Sequence, residues 1–173
     1  MKNCIYIADL FLPNNSAYST HVLKMCDALS IKSKNVNLLI YNYLSKITFQ
    51  EIKKKYLFSS KNKFGIIAIR KDKKKINFFG RIIFGYCAAS YSKKIIKPII
   101  ITRSFYASLF LTMFKKNHFL EIHNEIKGLT KLLFIYFGFI NSKFITKKIF
   151  ISNKLSNIYN SKNHIILHDA VDV

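Results

Sequence analysis

The chain has no tryptophan, three cysteines, eight acids and only three arginines among its 29 basic residues. Each shortage excludes something. Arginine supplies the flat bidentate fork that reads bases and phosphates, whereas lysine is a point charge, so a specific nucleic-acid reader is not expected. Cys4, Cys26 and Cys87 are odd in number, far apart and form no CxxC pair. They read as buried free thiols of a reducing cytoplasm. No apolar run is long enough to cross a bilayer. The two longest, 76–89 and 132–140, are short, and Arg81 interrupts the first. Met1-Lys2-Asn3 leads at once into a short strand and Asp9, so no signal peptide is expected. Neither GxGxxG nor GxxxxGK followed by Ser or Thr occurs, which leaves a nucleotide-phosphate loop of either kind unsupported.

What remains is a chain of 173 residues, half of them hydrophobic, with a formal net charge of +21. Length and apolar content fit one folded domain with a real core. The charge has two readings. Abundant Ile, Asn, Phe, Tyr and Lys match a bias toward A/T-rich codons, and a positive surface attracts anionic lipid and anionic substrates.

Short apolar runs alternate with helical patterns along the whole chain. Strands are expected at 4–8, 36–41, 64–69, 98–102, 118–123, 148–151 and 164–167. Helices are expected from about Ser19, after the capping-box pattern Thr48-Phe49-Gln50-Glu51, and over 78–96, 105–114, 129–140 and 153–159. This alternation predicts a single α/β domain: a Rossmann-like, doubly wound parallel sheet of about seven strands with helices on both faces. The lysine clusters 53–55, 71–75 and 147–148 read as solvated loops and helix ends.

In such a sheet a ligand binds beyond the carboxyl ends of the strands. The polar residues Asn14, Asn15, Ser16, Tyr18 and Ser19 of the first loop either contact a ligand at the start of a helix or form an ordinary capped turn. Arg103, at a strand end, either holds an anionic group or pairs with one of the few acids. Glu121 and His123 share a strand face, because side chains alternate. A His beside a carboxylate suits a base or a contact to a hydroxyl; it also suits a helix cap. His118 and His123 fall on opposite faces and no second ligand cluster is apparent, so no metal is expected. Asp169 and Asp172 read as part of a turn.

Together these segments resemble the N-terminal domain of family-4 glycosyltransferases, the retaining enzymes of the two-domain GT-B architecture. The resemblance is carried, in order, by Ser19-Thr20-His21-Val22-Leu23-Lys24-Met25-Cys26-Asp27-Ala28-Leu29, by Val36–Ile40, by Ile101-Thr102-Arg103-Ser104, by Glu121-Ile122-His123, by Ile149–Leu155 and by His168-Asp169-Ala170-Val171-Asp172. The resemblance implies that residues 1–173 are the acceptor-side domain of an enzyme moving a sugar from a nucleotide-sugar donor to a surface-glycan acceptor. It implies His123 near the transferred sugar, the loop Asn14–Ser19 near acceptor and donor phosphate, and Arg103, Glu121, Ser152 and Asp169 lining the cleft. No cofactor is expected beyond the donor substrate. The C-terminal donor-binding domain is expected to be absent from this chain, leaving it inactive alone. The expected location is cytoplasmic, at the inner face of the membrane. Two departures stand out: Ser16-Ala17 occupies the place of the family's first-loop glycines, and Ser33 that of the glycine ending its first helix. The alternative is a non-catalytic module that binds a partner or an anionic membrane surface.

Overall fold

The computed structural model describes residues 2–57, 64–70, 77–159 and 163–167. Seven parallel strands form one sheet: β1 Asn3–Ile7, β3 Asn35–Ile40, β5 Gly65–Ala68, β6 Ile99–Thr102, β7 His118–Ile122, β8 Ile145–Phe150 and β9 His164–Ile166. Two-residue strands, β2 Phe11–Leu12 and β4 Asn42–Tyr43, pair with each other just beyond the carboxyl ends of β1 and β3. The large sheet runs β5-β3-β1-β6-β7-β8-β9. The chain winds outward from β1 in one direction and then, starting at β6, in the other. The switch point therefore lies between β1 and β6, where sheets of this type open a ligand crevice.

The core follows from alternation along the strands. On one face Cys4 and Tyr6 of β1 and Leu38 and Ile40 of β3 pack on Val22, Leu23 and Cys26. Those three belong to helix α1, Ala17–Lys32. On the other face Ile5, Ile7 and Leu39 meet Phe84, Ala88, Ala107 and Leu111. These come from α3, Phe78–Lys93, and α4, Phe105–Met113. β1 is thus covered on both sides, which is why its sequence is apolar without a break.

Gly85 sits inside α3 where a Cβ would lie 2.6 Å from the backbone carbon of Tyr106. A glycine there lets α3 and α4 approach closely enough to cover the sheet together. Of the thiols, Cys4 and Cys26 are buried and Cys87 is partly exposed; all are free. Among the described residues no helix is long and apolar enough to cross a membrane.

The helix α2, Phe49–Lys55, starts on the full capping box read from Thr48 and Glu51. The single helix expected over 129–140 is instead three short pieces: α5 Gly128–Lys131, a π-helical turn Leu132–Tyr136 and a 3-10 turn Phe139–Asn141. Gly138, at φ 69°, adopts the left-handed conformation that stops a helix. The last helix, α6, spans Asn153–Ile158.

Candidate functional site

The strand ends at the switch point deliver a cluster of charge to one cavity of about 520 Å³. Asp9 follows β1, Arg103 follows β6, His123 follows β7, and Tyr18 and His21 enter from α1. Backbone contacts fix these positions. The Arg103 N–H donates to the Ile7 carbonyl at 3.0 Å, tying the end of β6 to the end of β1. Ser104 caps α4 through the Ala107 N–H.

Glu121 is the hub. It is only 3% exposed, a costly place for a carboxylate without partners. The buried Tyr6 hydroxyl donates to its Oε2. Its Oε1 meets His123 Nε2 and lies 3.1 Å from His21 Nε2. Arg103 Nη1 approaches the same oxygen at 3.9 Å. Burial alone would raise the Glu121 pKa. The bonds from His123 and His21, the Arg103 charge and the Tyr6 hydroxyl outweigh it and hold the carboxyl well below the usual carboxylate range. Glu121 is therefore a fixed anion that orients two imidazoles. When His123 Nε2–H donates to Glu121, its Nδ1 is left to meet a ligand.

Arg103 is held from a second side. Its guanidinium lies 4.3 Å over the Tyr18 ring. Nη1 is buried and makes no hydrogen bond, so Glu121 and Tyr18 are what stabilise it. Tyr18 in turn donates its hydroxyl to Asp9 Oδ1 at 3.2 Å. A continuous polar chain thus crosses the cavity from Asp9 through Tyr18, Arg103 and Glu121 to the two histidines. Phe105 and Tyr106 supply apolar lining.

The ligand atoms of His21, Glu121 and His123 lie within 4.8 Å of one another. This is the donor set of a two-histidine, one-carboxylate metal centre. It was not visible around His123 in the sequence, because His21 is brought in from α1 by folding. A divalent cation there would have to compete with the Arg103 guanidinium, which already faces the shared oxygen.

No protein-family model matches the chain, and no curated protein matches it significantly. Among solved structures, a glycosyltransferase from Rickettsia africae ESF-5 matches with a TM-score of 0.58 at 13% identity. The match covers 99% of this chain and 44% of that one. The fold is glycosyltransferase-like. At this identity the likeness concerns the fold alone, and the chain spans less than half the length of that glycosyltransferase.

Within this glycosyltransferase-like fold the residues singled out from sequence separate into groups. Tyr18, Arg103, Glu121 and His123 line the cavity together. Asn14, Ser16 and Ser19 do not line it; they build the start of α1. Asn14 Oδ1 accepts from the Ser16 N–H at 2.9 Å and from the Ser19 hydroxyl at 2.7 Å, while Ser16 caps the helix through the Ser19 N–H. Asn15 is exposed beside them. Ser152 caps α6 through the Leu155 N–H, and its neighbour Ile151 lines the cavity instead. Asp169, Asp172 and the lysine cluster 71–75 lie outside the described residues. Asp9 falls among the positions just past a strand where a ligand is expected, whereas sequence reading missed His21 and Arg81 as cavity residues. A signal existed for one of them: His21 follows Tyr18 by three positions, one helical step along the same face.

Proposed function

We propose that this chain is the acceptor-side domain of a GT-B glycosyltransferase of the retaining, family-4 kind. It would act on a nucleotide-sugar donor, and a surface glycan would receive the sugar. The observation that carries this reading is the convergence of His123, Glu121, His21 and Arg103 on one cavity at the switch point of a glycosyltransferase-like sheet. His123, oriented by an ionised Glu121, presents a ring nitrogen to a hydroxyl of the transferred sugar. Arg103 adds positive potential beneath the cleft.

Departure of a nucleoside diphosphate needs cationic groups preorganised around its phosphates. In this reading a second, donor-binding domain supplies them across the cleft, and this domain alone offers one wall. Incubation of the purified 173-residue chain with radiolabelled nucleotide sugars and glycan acceptors should therefore give no transfer above background. Robust transfer by the chain without a partner domain overturns the half-cleft reading.

A further inference from the structure

The cavity holds two carboxyl groups, and they differ in what they have left to offer. Both oxygens of Glu121 are engaged within the protein, by Tyr6 on one side and by His21 and His123 on the other. Asp9 is less fully engaged, although its carboxylate also accepts from its own backbone N–H. Its Oδ1 accepts from the Tyr18 hydroxyl. Its Oδ2 faces Arg81 Nε at 3.7 Å, near enough for Coulombic attraction and too far for a hydrogen bond. Both residues line the cavity; Asp9 is 17% exposed and Arg81 53%. An ion pair left open by this gap can admit a third group.

We infer that Asp9 and Arg81 form a subsite for a neutral, hydroxyl-rich ring, gripping the acceptor sugar through its hydroxyl groups. This rests on the acceptor-side reading of the cavity and names the contact. A hydroxyl both donates and accepts, so it can donate to Asp9 Oδ2 while taking a hydrogen bond from the Arg81 guanidinium. The pair discriminates by charge. An ion placed between them is attracted by one member and repelled by the other, whereas a neutral hydroxyl can satisfy both at once. Phe105 and Tyr106 border the same cavity and offer an apolar wall to the C–H face of a pyranose.

The charged and titratable groups facing Asp9 are Tyr18 from α1, Arg81 from α3 and Arg103 beyond β6. Burial pushes the Asp9 carboxyl up; Arg81, its own backbone N–H, the Tyr18 hydroxyl and Arg103 partly offset it. Ligand held by ionised Asp9 is accordingly released as the solution is acidified through the carboxyl range.

The test uses the 173-residue chain and defined probes: methyl glycosides of glucose, galactose and mannose, methyl N-acetylglucosaminide and, as the charged control, methyl glucuronide. Ligand-observed NMR and calorimetric titration should show saturable binding of at least one neutral glycoside, with the glucuronide weaker. Asp9→Asn and Arg81→Gln should each weaken that binding at least tenfold. Arg81 is largely exposed, so Arg81→Gln should fold like the parent, which thermal unfolding checks. Equal binding by the parent and both variants, or a preference for the glucuronide, overturns the subsite while leaving the acceptor-side reading intact. Failure of the parent chain to bind any neutral glycoside removes the subsite and that reading together.

Discussion

Strand β7 has a histidine at either end, and the two ends put the same ring to opposite uses. His118 opens the strand and is 1% exposed. Its Nδ1 lies 2.9 Å from the Lys116 carbonyl, which can only accept, so Nδ1 carries the proton. Its Nε2 then accepts from the Ser108 hydroxyl at 2.7 Å. With only neutral partners, burial pushes its pKa down to about 4. His123, just past the other end, meets the carboxylate of Glu121 and faces the cavity. One imidazole is a neutral pin between α4 and the sheet; the other is a polar group held ready at the rim. The neighbouring charge, not the strand, decides which role a histidine takes.

The comparison can be broken most forcefully at Glu121. Replacing it by glutamine keeps the shape and removes the charge that Arg103, His21 and His123 share. Breaking a buried charged cluster of this kind should cost about 3–5 kcal/mol, read from urea unfolding at neutral pH. A loss below about 1 kcal/mol would mean that the rim cluster is no more charged than the His118 end.

The next effect is the acid response of His118. Its folded pKa lies below the ordinary imidazole value of 6.5, so between pH 6.5 and about 4 the unfolded chain binds a proton that the folded chain does not. Stability therefore falls as the pH falls through that window, by about 3 kcal/mol in total. Urea midpoints measured across the window should show this slope, and His118→Gln should flatten it. Glu121, held ionised, adds its own loss only below its ordinary value of 4.5. Asp9, whose carboxyl is pushed upward, works in the opposite sense: it weakens the fold as the pH rises above its ordinary 3.8.

The smallest expected change in stability is at His123, which is 12% exposed on its side chain. His123→Gln should cost less than about 1 kcal/mol. If the function proposed above holds, the same change in an enzyme that contains this domain should lower sugar transfer about 100-fold. If His123→Gln proves as destabilising as Glu121→Gln, both ends of the strand are structural and the contrast is lost.

Most of the fold was legible because its signals are local. The seven apolar runs became the seven strands of the sheet, each within a few residues of its expected limits. Thr48 and Glu51 announced a helix start that the structure shows in full. The two-residue strands β2 and β4 went unread, since two residues carry no periodicity. Ser33 ends α1 with extended backbone at φ −109°, so the glycine expected by analogy is not needed there. The site was legible only where it is local too. Glu121, in β7, and His123, just past its end, lie two positions apart. Tyr6 reaches Glu121 across 115 positions and His21 across 100, distances that no spacing rule bridges.

The central strand also sets a schedule for biosynthesis. β1 can pair with β3 soon after both leave the ribosome, but its other edge waits for β6, whose Thr102 lies 95 residues beyond Ile7. At ordinary translation rates that is a delay of roughly 5–20 s. Throughout it an apolar strand edge stands open to any neighbouring nascent chain, and a helper that shields exposed edges would be most useful in that interval.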